Sequence, residues 1–168
     1  MGVIKLNRKL EVLIIGILTS FVIGMFLKLL EVITNLKVYT LLLNIDFIPF
    51  IGDINFPEWI EFTFHMITSI VIAFIFNYLI LRKKWNWQGI LFYVSLGNML
   101  IGLLIYPITL LSDRTPPLLS IFSLNFWLVG HLIYGIAMSL LFILIENKQY
   151  IKKTRKKKRK DNIIPFNK

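Results

Sequence analysis

Residues 60–81 read IEFTFHMITSIVIAFIFNYLIL, and this stretch decides the fold class. A membrane-spanning helix needs roughly 20 mostly apolar residues, because the hydrocarbon core is about 30 Å thick and an α-helix rises about 1.5 Å per residue. The stretch has that length, and residues 70–76 are apolar without interruption. A transmembrane β-barrel would instead need short segments in which apolar and polar residues alternate. The pattern therefore predicts a spanning helix.

Three more stretches of this kind, residues 12–30, 88–111 and 123–145, complete a predicted all-α, four-helix transmembrane bundle within residues 12–146. The composition agrees, since 57% of the 168 residues are hydrophobic and the mean hydropathy is +0.73. These values exclude an ordinary soluble domain. The chain has no cysteine, which excludes disulfide scaffolds, thiol catalysis, cysteine zinc sites and lipoprotein acylation.

The basic residues predict the orientation of the bundle. Of the 19 lysines and arginines, 16 lie before the first stretch, between the second and third, or after the fourth. The other two connections carry only Lys28, Lys37 and Arg114. Because cytoplasmic loops are rich in lysine and arginine, residues 1–11 and 147–168 are predicted to be cytoplasmic, so that both termini lie on that side.

Residues 38–58, between the first two spans, are too long for a tight turn. They mix polar and turn-forming residues with apolar ones such as Ile48 and Phe56. So apolar a segment is poorly suited to free solvation. We predict an external loop, either interfacial or re-entrant, that is buried against the bundle or the lipid headgroups.

Ionisable side chains within a membrane span are costly and therefore indicate function. His65 precedes Arg82 by 17 positions and His131 precedes Lys148 by 17, and Asn98 falls near the same depth on the third span. We predict a polar layer of His65, Asn98 and His131 in the outer half of the bundle. The imidazoles could form purely structural interhelical hydrogen bonds, or they could titrate near pH 6.5. With only two histidines and no metal-binding spacing, no metal or other cofactor is predicted.

Charged residues near the outer ends of the spans form a second candidate cluster of Glu61, Asp113 and Arg114. The chain lacks the nucleophile elbow, the phosphate-binding loop and the dinucleotide-binding turn. No catalytic residue is therefore predicted, and solvated loop charges are the simpler reading of this cluster. A lipid-modifying enzyme built on it stays open as an alternative.

The C-terminal tail contains a dense basic run consisting of Lys152, Lys153, Arg155, Lys156, Lys157, Lys158, Arg159 and Lys160. A cluster of this kind directly beyond a span gains about 1 kcal/mol per basic residue near anionic lipid headgroups. We predict contact with those headgroups. Binding to nucleic acid is disfavoured, because interleaved aromatic residues and a recognisable RNA-binding fold are absent from the sequence.

Several short motifs occur in a recognisable order: residues 64–70 (FHMITSI), 87–91 (WQGIL), 106–107 (YP), 115–117 (TPP) and 130–135 (GHLIYG). Over about residues 60–146 the chain resembles the YagU family of bacterial inner-membrane proteins. It departs from that family at Gly102, where some relatives carry a further histidine. The resemblance implies a multi-pass helical protein of the bacterial cytoplasmic membrane, of undefined molecular activity and linked to survival in acid.

The functional prediction is a non-enzymatic membrane protein linked to acid or envelope stress, with the polar layer as a pH-responsive contact. A small oligomeric transporter or channel is an alternative, which would require water to reach the polar layer. A lipid-modifying enzyme is the other. A homo-oligomer is compatible with each of the three.

Overall fold

The computed structural model describes residues 7–46, 48, 54 and 56–161, with side chains described up to residue 147. Its helices are α1 (Arg8–Thr34), α2 (Val38–Leu43), α3 (Glu58–Lys83), α4 (Trp87–Ile105), a 3₁₀ helix (Tyr106–Leu111) and α5 (Ile121–Asp161). No strand occurs within these residues. The all-α prediction is confirmed.

Four helices are long and apolar enough to cross a membrane, as the sequence predicts. They are Arg8–Thr34, Glu58–Lys83, Trp87–Leu111 and Ile121–Asn147. Large apolar side chains in the middle of these helices point away from the bundle; Met25 is 71% exposed and Leu104 is 78% exposed. Because such exposure is unfavourable in water, these faces are suited to lipid.

Polar residues define the helix ends, where backbone groups lack partners within the helix. The side chains of Asn7 and Asn86 accept hydrogen bonds from the first turns of α1 and α4, respectively. Asn35 ends α1 in the left-handed conformation, and Lys84 ends α3 in the same way. The connection between α3 and α4 therefore takes only three residues, 84–86.

The third span changes from α-helix to 3₁₀ helix at Tyr106. Pro107 follows directly, and proline has no N–H for the α-helical ladder and clashes with the carbonyl four residues earlier. The span therefore tightens before it ends, which places Tyr106 and Thr109 in the interior. The sequence permitted this break without requiring it.

Two close helix crossings hold the bundle together. α1 crosses α3 at Gly16, where an added Cβ would lie 2.6 Å from the Cα of Ile70. α4 crosses α5 at Gly135, where an added Cβ would lie 2.7 Å from the Cα of Ser95. Small residues of this kind let the backbones of membrane helices approach closely. α1 also packs on α5.

The start of α1 and the last turns of the fourth span lie at the same end of the bundle, since Arg8 and Glu146 form an ion pair of 2.7 Å. The connection between α3 and α4, with Arg82, Lys83 and Lys84, is at this end too, because spans alternate in direction. We call it the basic end and its opposite the far end. The interior of the bundle is filled by aliphatic and aromatic side chains, Val12 and Phe142 among them.

Helix α2 lies within the segment predicted as an external loop. It is at the far end, and Val38, Leu41 and Leu43 are buried against α1, α3 and α5. The carboxylate of Glu31 accepts hydrogen bonds from the first backbone N–H groups of α2, those of Tyr39 (2.7 Å) and Thr40 (2.8 Å). A carboxylate here satisfies free N–H groups and complements the helix dipole. Within the described part of this segment, residues 38–46 are buried or half-buried, whereas Ile54 is 50% exposed and Glu58 is exposed.

Candidate functional site

A cavity of about 250 Å³ lies between α3 and α4. These helices are consecutive in the chain, yet they hardly pack on each other. They meet near the basic end, where Phe76 covers Gly97. Toward the far end they diverge, and the cavity fills the space between them with α5 at its back.

The three residues of the predicted polar layer all line this cavity. His65 comes from α3, Asn98 from α4 and His131 from α5. Asn98 is completely buried and His131 is 6% exposed, whereas His65 is half-buried. The structure thus brings together side chains that are distant in the sequence.

His131 is held in one orientation. Its Nδ1 lies 3.0 Å from the carbonyl of Trp127, and the indole of Trp127 donates to the carbonyl of Gly102 at 2.8 Å. Since a carbonyl can only accept, Nδ1 carries the proton, which leaves Nε2 of the neutral ring as an acceptor. An added Cβ on Gly102 would lie 2.5 Å from Cγ of His131. The ring occupies the space a side chain at position 102 would need.

Three polar atoms that face the cavity are buried and have no hydrogen-bond partner among the described residues. They are Nε2 of His65, Oδ1 of Asn98 and Nδ2 of Asn44, the residue that follows α2. The amide nitrogen of Asn98 is already engaged, since it donates to the carbonyl of Val94 at 2.8 Å. Buried polar groups are satisfied in the great majority of structures, so three such atoms on one cavity require explanation.

A hydrogen-bonded chain lies beside the cavity and joins α1, α3 and α5. Ser69 donates to the carbonyl of Gly16 at 2.7 Å, and its Oγ lies 2.9 Å from the hydroxyl of Tyr134. Because serine has one proton to donate, Tyr134 is the donor in the second bond. Thr19 lies 3.3 Å from Ser69 and donates to the carbonyl of Ile15. Ser69 lies on the same face of α3 as His65, four residues earlier, whereas sequence reasoning missed Thr19 and Tyr134.

At the far end, Arg114 joins two acidic side chains. It lies 2.9 Å from Glu61 and 3.5 Å from Asp46, and Asp46 also accepts a hydrogen bond from Ser112. Glu61 is 4% exposed and also lines the cavity. The structure therefore brings Glu61 and Arg114 of the candidate cluster together in an ion pair, and Glu61 is buried instead of solvated. Asp113 is exposed and makes no side-chain hydrogen bond or ion pair to the described residues; Asp46 takes the place expected of it.

A second, more polar pocket of about 300 Å³ adjoins this cluster. Lys28 and Tyr39 both contact the carboxylate of Glu58 there, the tyrosine hydroxyl at 2.9 Å. Burial raises the pKa of Tyr39, and the hydrogen bond to Glu58 raises this pKa further. Glu61 and Arg114 line this pocket too, so their ion pair stands between it and the cavity.

The basic end has a polar lock of its own. In addition to its ion pair with Glu146, Arg8 donates from Nε to Oδ1 of Asn77 at 2.8 Å. Asn77 is the last member of a stripe of residues spaced four apart on one face of α3, the others being Glu61, His65, Ser69 and Ala73. Each member of that stripe is buried or half-buried, so this face contacts protein.

Among the described residues, no three histidine, aspartate or glutamate side chains come together in a way that could hold a metal ion. The backbone of α5 continues without interruption to Asp161. The basic side chains of residues 152–160 lie outside the described ones.

The four spanning helices, with their lipid-facing flanks and internal cavity, define an integral membrane protein. The chain matches no protein-family model, and no curated protein or solved structure is significantly similar to it.

Proposed function

We propose that this membrane protein binds a small amphiphilic molecule from the bilayer in the cavity between α3 and α4. One observation carries the proposal: the unpartnered polar atoms of His65, Asn98 and Asn44 face the same cavity. A buried polar group without a partner costs about 1–3 kcal/mol. A bound molecule with polar groups at the right positions would recover that free energy.

The position of the opening supports entry from lipid. Ile67 is 52% exposed and Thr68 is exposed, yet both also line the cavity. They lie in the middle of α3, so the cavity reaches the lipid-facing flank of the bundle. Toward the basic end the interior is filled by side chains such as Phe76 and Met138. A blind cavity of this shape favours binding over conduction through the bundle.

Covalent labelling of a matched pair of variants tests the proposal. Ile101→Trp fills the cavity, whereas Leu104→Trp makes the same change on the lipid-facing side of the same helix. The probe is a benzyl alcohol that carries a photoreactive diazirine, added to the full chain in phosphatidylcholine vesicles. We expect saturable labelling of α3 and α4, unchanged in Leu104→Trp and lost in Ile101→Trp. Equal labelling of the two variants would refute the proposal.

A second proposal, supported by the shared position of His65 and His131 on the cavity, is a response to acid that links the protein to acid or envelope stress. At about 250 Å³ the cavity has room for several waters of about 30 Å³ each. Two protonated imidazoles facing one space would repel each other. The other titratable residues that line it are already engaged, Glu61 with Arg114 and Tyr134 with Ser69.

Stability between about pH 5 and 8 tests this second proposal. The unfolding midpoint of the wild type should fall toward pH 5, because two protonated imidazoles, one on α3 and one on α5, would repel each other across the cavity. His65→Gln and His131→Gln should each flatten the profile. Profiles that coincide with that of the wild type would refute a role for these histidines.

The sequence also supports proposals on the family of this chain, its orientation in the membrane and the lipids that it contacts. We propose that the chain belongs to the YagU family and lies in a bacterial cytoplasmic membrane with both termini in the cytoplasm. The concentration of Arg8, Arg82, Lys83 and Lys84 at the basic end supports that orientation. Because α5 continues to Asp161, the basic run directly follows the span, where anionic headgroups would attract it.

A further inference from the structure

The geometry points to a specific class of occupant for the cavity, namely a neutral quinol carried in the membrane on an apolar tail. This inference rests on the proposed function and narrows it. Three properties of the cavity support it: the charge, the shape and the hydrogen-bonding groups.

The charges that line the cavity exclude a charged occupant. Among the described residues on its wall, Glu61 is the acidic one, and that carboxylate is paired with Arg114 at 2.9 Å. Asn44, Asn98 and Tyr134 carry no charge on this wall, and at neutral pH an imidazole such as that of His65 or His131 is mostly uncharged too. An ion moved from water into such a space would lose hydration without gaining a counter-charge. The occupant is therefore neutral.

The back wall favours a flat ring. Trp127 and His131 stand side by side on α5, with ring centroids 4.3 Å apart, and both line the cavity. A volume of about 250 Å³ exceeds the 150 Å³ of an engineered cavity that binds benzene. Aromatic surfaces hold other rings by stacked or edge-to-face contact. There is room for a substituted or fused ring.

The mouth of the cavity favours an apolar tail. Ile67, Ile101 and Ile108 are among the apolar residues that line the cavity, and they come from α3, α4 and the 3₁₀ helix. The exposed position of Ile67 leads outward to the lipid-facing flank. A ring bound at the back could thus keep a hydrocarbon tail in the bilayer.

The free polar atoms distinguish a quinol from a quinone. The free amide nitrogen of Asn44 is a donor and the free oxygen of Asn98 is an acceptor, while the free Nε2 of His65 donates or accepts according to its tautomer. Asn44 is 5% exposed and Asn98 is fully buried, so neither group reaches bulk water. A quinone has only acceptor oxygens and leaves the acceptors of the protein unpaired. Each hydroxyl of a quinol accepts and also donates, so a quinol can satisfy both kinds of group.

Calorimetric titration of the full chain in phosphatidylcholine nanodiscs tests the inference, with empty nanodiscs as the partition control. The first probe is 2-methyl-1,4-naphthohydroquinone, kept reduced under argon. The second is 1,4-dimethoxy-2-methylnaphthalene, which has the same ring but no O–H donor. We expect one saturable site, with an affinity for the hydroquinone about tenfold above that for the dimethoxy compound, as one hydrogen bond requires.

Variants locate the site. Asn98→Leu should weaken hydroquinone binding about tenfold. Asn125→Leu is the matched control, because Asn125 is exposed and also donates to the carbonyl four residues earlier. Asn44→Leu, outside the spanning helices, should weaken binding several-fold even where Asn98→Leu fails to fold.

Several outcomes would overturn the quinol without bearing on whether the cavity binds an amphiphile at all. Equal affinity for the hydroquinone and the dimethoxy compound would overturn the quinol assignment, and so would equal binding by 1-decanol, which indicates an alkyl chain as occupant. Binding that is unchanged in Asn98→Leu and Asn44→Leu would overturn it too. These results test the quinol alone, whereas equal diazirine labelling of Ile101→Trp and Leu104→Trp would refute amphiphile binding in this cavity altogether.

Discussion

The crossing of α4 over α5 at Gly135 should tolerate no side chain at that position. In Gly135→Ala the new Cβ would lie 2.7 Å from Cα and 3.0 Å from the carbonyl oxygen of Ser95. Ordinary contact begins at about 3.4 Å, and the obstacle is backbone that cannot rotate away. The two helices must therefore move apart by several tenths of an ångström.

The separation of the two helices determines how much free energy of unfolding Gly135→Ala loses. The hydroxyls of Ser95 and Ser139 are 3.3 Å apart, with Ser95 as the donor because Ser139 gives its one proton to the carbonyl of Gly135 at 2.7 Å. The distance between the two hydroxyls is near the limit for a hydrogen bond, so a further separation breaks that bond. Interhelical hydrogen bonds in membranes average about 0.6 kcal/mol, and overpacking typically costs about 1–3 kcal/mol. We expect a net loss of about 1–3 kcal/mol.

Gly130→Ala is the control, because it makes the same change on the same helix. There the nearest atoms are the flexible end of the Leu27 side chain, 2.9 Å away, which can shift. The gain in helix propensity from glycine to alanine is common to both variants and cancels in their difference. Equilibrium unfolding in mixed detergent micelles should show Gly135→Ala as the less stable. Equal stability would refute the claim that backbone contact sets the crossing.

Three further perturbations test other parts of the structure. Ser69→Ala should cost about 1–2 kcal/mol in the same unfolding assay, because its hydroxyl joins three helices; Thr63→Val, on an exposed hydroxyl, should cost almost nothing. Arg114→Leu should destabilise the fold by about 1–3 kcal/mol, because it leaves the buried carboxylate of Glu61 unpaired. The loss should be smaller than for a fully buried ion pair, since the side chain of Arg114 is partly exposed. Adding Glu61→Gln should recover most of that loss, and no recovery would refute the stabilising role of this ion pair. Because the pKa of Tyr39 is raised from 10.0 in the folded chain, its phenol ionises first in the unfolded chain, so wild-type stability should fall as pH rises above 10.0; Tyr39→Phe should lack that part of the decline in unfolding measured between about pH 9 and 11, and parallel curves would contradict the assigned environment.

Much of the fold was predictable because the bilayer is a demanding solvent. An uninterrupted apolar run such as residues 70–76 can satisfy its backbone in lipid only as a helix, so the four spans followed from the sequence alone. Helix α2 was not predictable. Its residues 38–43 are too few for a stable helix without tertiary support, and that support comes from Glu31, which lies in another helix.

The candidate site was predictable only in part. Counting residues along each span placed His65, Asn98 and His131 at a common depth, because helix rise is constant. Depth gives no information on rotation or on which helices separate. The cavity itself, and the part played by Asn44 in its lining, therefore came only from the structure.

The same division applies to the charged residues. Asp113 and Arg114 are adjacent in the chain, and sequence reasoning grouped them with Glu61. In the structure Arg114 pairs with Glu61 and also with Asp46, which is 68 positions away in the chain, and not with Asp113. Side chains of consecutive residues point in different directions, so adjacency in the sequence does not predict which of them form an ion pair.

By itself the sequence determined that the chain folds as four spanning helices, because hydrophobic length and backbone hydrogen bonding in lipid depend on local composition alone. Tertiary structure alone decided which helices pack and which diverge. α3 and α4 are joined by three residues, yet the closest crossings are those of α1 with α3 and of α4 with α5, at Gly16 and Gly135. Close approach at those two glycines leaves space between α3 and α4, and that space is the candidate site.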